Sequence, residues 1–281
     1  MRINHNIAAL NANNRLKIND NAISKNLQKL ASGYRINNAA DDAAGLAVSE
    51  KMRRQINGLN QATDNAENGI SLIQTAEGGM NEISSILQRM NTLAVEASNG
   101  TYDDTDRENL QAEVDALITE IDRIANSTDF NGIKLLDGNT ITNTGVTFQI
   151  GSENVTDQQV KLTIASMTAG ALGDDTNKIK DVDISTQDNA KTAINTIKGA
   201  IEDVDTARAK LGAMQNRLEH TVNNLTTMSE NLTSAESTIR DVDMASEMVE
   251  LTKNQILEQA ATSMLAQANA QPQSVLSLLK G

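Results

Sequence analysis

Residues 52–94 read MRRQINGLNQATDNAENGISLIQTAEGGMNEISSILQRMNTLA. Apolar residues recur in this stretch at intervals of three, four or seven: Met52, Ile56, Leu59, Ala66, Ile70, Ile73, Met80, Ile83, Leu87, Met90 and Ala94. This heptad spacing, kept over about six repeats, predicts a long helix with one narrow apolar stripe. We expect the helix to run from about residue 43 to residue 98. The acids Asp41 and Asp42 should cap its start, and Asn99-Gly100 should end it.

The same spacing occurs twice more. A shorter series consists of Leu110, Val114, Leu117, Ile121 and Ile124. A longer one consists of Ile197, Ile201, Val204, Leu211, Leu218, Val222, Leu225, Leu232 and Ile239. Helices with narrow apolar stripes bury them by packing side by side. The fold class is therefore predicted to be mainly α, a long antiparallel helical bundle or coiled-coil rod, with residues 43–235 as the rod domain.

One part of the chain has a different period. Val146, Phe148 and Ile150 alternate with polar residues, and so do Val160, Leu162 and Ile164. Period two with β-branched residues predicts two strands of a hairpin or small sheet. We place this β-hairpin region at about 130–182, with exposed loops at 137–144 and 168–178.

The two ends carry apolar stripes without a partner in their own sequence. The N-terminal stripe is Ile7, Leu10, Ile23, Leu27 and Leu30, and the C-terminal one is Val242, Met248, Leu251, Ile256, Ala260, Met264 and Leu265, followed by Val275, Leu276, Leu278 and Leu279. An isolated stripe cannot bury itself, and a lone helix is marginal in water. Residues 1–42 and 236–281 are therefore predicted to be disordered in the monomer and to pair as coiled-coil helices on assembly. Residues 1–42 carry a net +3 and residues 241–281 a net −3, which suits mutual pairing.

Composition argues against several classes of function. The net charge of −13 disfavours a nucleic-acid partner, which needs a basic face. Cysteine is absent, so a thiolate metal site is ruled out, and His5 and His220 have no ligand spacing around them. No apolar run approaches the roughly 18 residues of a membrane span. We find no cleavable signal sequence and no nucleotide-binding or catalytic motif. The chain is expected to be neither an enzyme nor a cofactor-binding protein.

Several segments resemble bacterial flagellin. They are MRINHNIAAL (1–10), KLASGYRIN (29–37), AADDAAGL (39–46), FNGIKLL (130–136), STIRDVD (237–243) and QANAQPQSVL (267–276). They occur in the family's order and lie in residues 1–136 and 188–281, which favours the whole-chain resemblance over a chance short match. Little room remains between them, so the chain looks like a short flagellin that lacks the outer variable domains.

The resemblance implies a structural subunit that polymerises into the flagellar filament for swimming. It implies an open helical homopolymer on the extracellular flagellum, with subunits exported through the flagellar apparatus without a cleaved signal peptide. The partners that it implies are further copies of the chain, an export chaperone that binds around residues 248–265, and the filament cap and hook-associated junction proteins. The alternative reading is a hook–filament junction protein, which shares flagellin-like ends.

The resemblance also implies functional residues. In flagellins that Toll-like receptor 5 recognises, an Arg and a Leu of the first long helix and a Glu of the next form the contact. The matching residues are Arg89, Leu93 and Glu113. Leu276, Leu278 and Leu279 match terminal leucines that engage inflammasome receptors. Residues expected to serve polymerisation are Ile7, Leu10, Ile23, Leu27, Leu30, Leu251, Ile256, Met264 and Leu265.

Overall fold

The computed structural model describes residues 6–138, 145–173 and 177–280, with the backbone alone from residue 272 onward. Its helices are α1 (Ile7–Ser32), α2 (Ala43–Ala97), α3 (Asp104–Ser127), α4 (Gln187–Arg240) and α5 (Met244–Lys280). The predicted mainly α fold is confirmed. The chain divides into two compact units, and α2 and α4 contribute residues to both. Unit 1 contains residues 1–56 and 230–281, and unit 2 contains residues 57–229. The predicted domain boundaries near residues 42 and 236 stay a prediction.

Acidic side chains fix where two of the long helices begin. Asp42 Oδ1 accepts hydrogen bonds from the N–H groups of Ala44, at 3.1 Å, and Gly45, at 2.9 Å. Asp103 caps α3 in the same way, accepting from the N–H of Asp106 at 2.9 Å. These side chains satisfy donors that have no partner within the helix, and their negative charge suits the positive end of the helix dipole. Of the two acids expected to cap α2, Asp42 does so, whereas Asp41 accepts from the N–H groups of Asn37 and Asn38 instead.

Unit 2 has a continuous apolar interior between α2, α3 and α4. The large residues that contribute to it with no measurable exposure include Ile73, Met80, Ile83, Leu87, Met90, Leu93, Val114, Ile121, Leu136, Ile197, Val204 and Leu218. Most of them belong to the three heptad series read from the sequence. The narrow stripes thus face one another, which is how thin helical layers bury apolar area without many aromatic residues.

The turn between α2 and α3 is closed by a buried arginine. Arg107 is 6% exposed, and its Nε donates to the carbonyl oxygen of Ala97 at 2.9 Å. Its Nη2 donates to the carbonyl oxygen of Asn99 at 3.2 Å, and its Nη1 pairs with Asp104 at 2.9 Å. The carbonyl groups at the end of a helix lack partners within it, and a cation is favourable there. Arg107 therefore terminates α2 from the first turn of α3.

Two short antiparallel sheets complete unit 2. Strands β1 (Asp129–Phe130) and β2 (Ile133–Lys134) pair around a tight turn. Strands β3 (Val146–Gln149) and β4 (Gln159–Leu162) pair in the register Val146↔Leu162. The predicted hairpin is present, although Ile150 and Ile164 fall just outside its strands. Residues 139–144 and 174–176 of the predicted loops lie outside the described residues.

Candidate assembly interface

In unit 1 the helices α1 and α5 pack against each other antiparallel. Lys29 near the end of α1 pairs with Glu247 near the start of α5, with Nζ and Oε1 3.6 Å apart. At the other end, Asn6 caps α1 and its Nδ2 donates to the carbonyl oxygen of Ala268 at 2.7 Å. The two contacts lie about 20 residues apart on both helices. The predicted pairing of the terminal helices is therefore confirmed.

The α1–α5 seam, the line along which the two helices meet, follows a strict heptad spacing on both sides. The buried and half-buried seam positions are Ala9, Ala12, Leu16, Asn19, Ile23, Asn26 and Leu30 on α1, and Glu247, Leu251, Asn254, Glu258, Ala261, Leu265 and Ala268 on α5. Alternating steps of three and four are typical of a coiled-coil line of contact. Small and polar residues occupy more than half of these positions, so this seam is poor in large apolar side chains.

Most of the large apolar residues of these helices lie outside the seam. On α1 the exposed ones are Ile7, Leu10, Ile18 and Leu27, and on α5 they are Met244, Met248, Val249, Ile256, Leu257 and Met264. Ile256 is 60% exposed and Met264 is 65% exposed. We call the α5 set the outward stripe. So many large apolar side chains exposed on one helix favour an interaction surface over an ordinary solvent-facing helix.

The residues expected to serve polymerisation divide between these two faces. Ile7, Leu10, Leu27, Ile256 and Met264 point outward, whereas Leu251 is 7% exposed within the α1–α5 seam. Ile23, Leu30 and Leu265 are half-buried in it. The C-terminal stripe read from the sequence therefore merges two faces of α5 into one. The spacing of Leu251 and Leu265, which lie two heptads apart, distinguishes the seam face of α5 from its exposed face.

A short backbone ladder joins the segments next to the helix pair. The N–H of Arg35 donates to the carbonyl oxygen of Arg240 at 2.7 Å, and the N–H of Val242 donates to that of Gly33 at 3.0 Å. Tyr34 and Asp241 form the antiparallel bridge between them, and the Arg240 guanidinium stacks 4.8 Å from the centre of the Tyr34 ring. We call this the crossover ladder. Gly33 ends α1 at φ 75°, a backbone conformation that glycine adopts without strain.

The turn after the crossover ladder depends on one carboxylate. Asp41 Oδ2 accepts hydrogen bonds from the backbone N–H groups of Asn38, at 3.0 Å, and Asn37, at 3.2 Å. These donors favour the ionised carboxylate and lower the pKa of Asp41 below its ordinary value. The turn is therefore built for neutral rather than strongly acidic solution.

Unit 2 brings together two of the three residues expected at the receptor contact. Arg89 on α2 and Glu113 on α3 form an ion pair in which Nε and Nη2 both lie 2.8 Å from the same carboxylate oxygen, Oε1. Their side chains are 52% and 42% exposed. Leu93 has no measurable exposure and lies in the interior one turn along α2. The ion pair is thus a surface feature, whereas Leu93, expected as a contact residue, is buried in the interior and exposes no side-chain surface. The side chains of Leu276, Leu278 and Leu279 lie outside the described residues.

Within the part of the chain that the structure describes, no cluster of three or more His, Asp or Glu side chains could hold a metal ion. No described helix combines the length and apolar character that crossing a membrane requires. The features that stand out are instead the helical fold and the uncovered apolar residues of α1 and α5, and these define the class of self-assembling structural proteins.

Comparison with known proteins identifies the family within that class. Residues 3–140 match the model of the bacterial flagellin N-terminal helical region, and residues 194–279 match that of the C-terminal helical region. A flagellin of Bacillus subtilis is 53% identical over an alignment 306 positions long, which covers all of both chains. The chain belongs to the bacterial flagellin family, whose members are structural proteins.

Two further comparisons refine this assignment. The flagellar filament 33 kDa core protein of Treponema phagedenis is 50% identical over 288 aligned residues that cover all of both chains, so the chain is a short form of its family. A solved structure of a putative flagellar hook-associated protein from Vibrio parahaemolyticus has a TM-score of 0.59. It covers 72% of this chain and 100% of that one at 16% identity, which shows the fold alone. The alternative of a hook–filament junction protein is therefore not favoured.

Proposed function

We propose that this flagellin polymerises through the large apolar residues that α1 and α5 leave uncovered. Membership of the family makes the chain a structural subunit of the flagellar filament, on the extracellular flagellum. The observation that carries the finer proposal is the outward stripe, with Ile256 and Met264 more than half exposed. Full burial of one such side chain stabilises an assembly by about 1.5–3 kcal/mol. Several together outweigh the roughly 4–15 kcal/mol that association costs in lost freedom.

The geometry of these faces favours an open polymer over a closed dimer. The exposed apolar residues lie on two different helices, and the sequence around them differs in charge, +3 for residues 1–42 and −3 for residues 241–281. A contact between two unlike patches leaves one of each free on every added copy. Such heterologous contacts build a helical filament when the rotation between copies does not close a ring.

The same surface accounts for the partners expected before and during assembly. Met248, Val249, Ile256 and Leu257 are apolar and exposed, so a newly made chain needs them covered in the cell. We assign that cover to a flagellar export chaperone at residues 248–265. Export then runs through the flagellar apparatus without a cleaved signal peptide. Filament cap and hook-associated junction proteins present similar contacts at the two ends of the polymer.

Polymerisation by purified protein tests this proposal. We expect the double substitution Ile256→Ser with Met264→Ser to raise the critical concentration for filament growth at least tenfold, because two apolar side chains lose their burial. Sedimentation after seeding with filament fragments gives the critical concentration, and negative-stain microscopy shows the filaments.

The matched control is Met228→Ser, which removes a similarly exposed methionine from unit 2. It should leave the critical concentration within about twofold of that of the unsubstituted chain. Filaments from the double variant at the ordinary concentration, or an equal defect in the control, would refute the assignment of these faces.

We also propose that the exposed Arg89–Glu113 pair contributes to binding of host Toll-like receptor 5. The support is that both side chains lie together on the surface, where each holds the other in place. Leu93, the third expected contact residue, is fully buried, so direct contact through its side chain is not part of this proposal. Arg89→Ala should lower the potency of monomer in a receptor reporter assay. Arg123→Ala is the control, because Arg123 forms a comparable exposed pair with Glu120 on α3. Equal potency of the Arg89 variant and the unsubstituted chain contradicts the proposal.

A further inference from the structure

The α1–α5 seam contains a buried polar residue whose side-chain amide finds hydrogen-bond partners for both its nitrogen and its oxygen. Asn26 is 8% exposed and is the buried residue of α1. With its amide nitrogen turned toward Glu247, it donates to Glu247 Oε1 at 3.1 Å and to the carbonyl oxygen of Ala22 at 3.0 Å. Its amide oxygen then accepts from the N–H of Leu251 at 3.3 Å and from Asn254 Nδ2 at 3.1 Å. Three of these four partners belong to α5.

The face of α5 that packs against α1 is not the face that apolar burial alone favours. The face that meets α1 offers Glu247, Asn254 and Glu258 beside Leu251, whereas the outward stripe offers several large apolar side chains. Apolar attraction has no direction and grows with the area removed from water. Taken alone, it favours packing α1 against the outward stripe.

The buried amide side chain of Asn26 opposes the preference for the outward stripe. Away from the α1–α5 seam, the amide of Asn26 would lose its partners and remain buried against apolar side chains. A buried polar group without partners is penalised far more than the gain from an ordinary hydrogen bond. In coiled coils one asparagine at a seam position fixes pairing by this mechanism, at some expense in stability.

We propose that Asn26 selects the face of α5 that its own α1 covers, and thereby reserves the outward stripe for a neighbouring copy. The inference rests on the proposed function, which assigns the outward stripe to contacts between copies. The crossover ladder fixes the level at which α1 ends and α5 begins. Beyond the ladder, Asn26 determines which face of α5 packs against α1. Lys29 reinforces this choice of face by pairing with Glu247.

Cross-linking in filaments tests which face is covered, and the chain has no native cysteine to interfere. Asn19 and Glu258 lie one heptad beyond Asn26 and Leu251 on the same seam, so Asn19→Cys with Glu258→Cys reports on the seam. A short bis-maleimide should link these two thiols within one chain. Adding Asn26→Leu should lower the within-chain link at least threefold and raise links between copies. The control Asn21→Leu makes the same change at an exposed position of α1 and should leave the link unchanged.

A second pair of variants covers the case in which Asn26→Leu forms no filaments. Asn26→Asp places a carboxylate against Glu247 and should reduce filament yield at least threefold. Adding Glu247→Gln places an amide donor at position 247 opposite the carboxylate acceptor at position 26. The filament yield should then return to within about twofold of the original. Failure of this rescue, or an unchanged within-chain link with leucine at position 26, overturns the proposal. Neither result affects the proposed function, which fails only if the Ile256 and Met264 substitutions leave polymerisation intact.

Discussion

Units 1 and 2 use similar apolar residues in opposite ways. Among the described residues, the large apolar side chains exposed in unit 2 are Val95, Val155 and Met228, while eleven others belong to unit 1. Unit 2 turns its heptad stripes inward, and the buried apolar residues of unit 1 are Ile36, Leu251 and Ala268. Unit 2 thus holds its stabilising contacts within one chain. Unit 1 leaves most of its large apolar side chains exposed, so we expect its order to depend on assembly.

The largest expected effect comes from making the same leucine-to-alanine substitution in each unit and comparing the losses of stability. Leu87→Ala removes a side chain with no exposure from the interior of unit 2 and should cost about 2–5 kcal/mol of unfolding free energy in the monomer. Leu251→Ala in the α1–α5 seam should cost the monomer less than half as much. Its main effect should appear as a higher critical concentration for filament growth.

Urea denaturation of the monomer, followed by circular dichroism, measures the first quantity, and sedimentation measures the second. Equal losses of monomer stability would mean that the α1–α5 seam is as firmly folded before assembly as the interior of unit 2. The contrast between the two units would then be wrong.

A smaller effect tests how tightly unit 2 is packed. Gly78 and Gly79 are neighbours in α2, but a Cβ at Gly78 meets no atom within 4 Å, whereas one at Gly79 lies 2.9 Å from Leu136 Cδ1 and Thr128 Oγ1. Gly78→Ala should raise stability by about 0.5–1 kcal/mol, because alanine restricts the unfolded chain and favours the helix. Gly79→Ala should lose that gain or reverse it, since contacts below 3.0 Å force a shift.

Thermal unfolding measures the stability of both variants. A change of about 1 kcal/mol in unfolding free energy corresponds to roughly 2–4 °C in Tm for a unit of this size. The two adjacent substitutions should differ in sign or by several degrees. Matching increases in Tm would show that the α2 surface near Leu136 is looser than its burial indicates.

The smallest effect concerns acid and the turn of unit 1 at Asp41. The folded-state pKa of Asp41 is lowered by the N–H groups of Asn38 and Asn37. Its contribution is therefore present above the ordinary pKa of about 3.9 and is lost as pH falls through the lowered value. Acidification should lower the protection factors of the Asn37 and Asn38 amides, that is, their protection relative to an unstructured chain at the same pH, as measured by NMR hydrogen exchange. Asp41→Asn keeps an acceptor without the charge and should remove that pH dependence.

The sequence predicts the long helices well because their signal is local and repeated. Heptad spacing locates α2, α3 and α4, and the acids at 41 and 42 locate the start of α2 to within a residue or two. The period-two segments locate β3 and β4. The pair β1–β2 was missed, although Asn131 and Gly132 have φ values of 51° and 79° and an Asn-Gly pair is a strong hairpin signal.

The candidate site is harder to predict than the fold. Apolar periodicity shows that α5 carries large residues, but it does not show which of them meet α1 and which face outward. That distinction depends on Asn26, Glu247 and Asn254, which are polar and which a search for apolar stripes passes over. The Arg89–Glu113 pair came from family resemblance, since two charged residues 24 positions apart carry no local pattern.

The crossover ladder has a mechanical consequence. Its two backbone hydrogen bonds run between antiparallel segments that continue directly from α1 and into α5. When one helix is pulled harder than the other along their common axis, the segments slide past each other and both bonds bear the force together. Bonds strained side by side in this way resist more tension than bonds that open one after another. Under such uneven tension we expect the ladder to divide the load between the two terminal segments of the chain.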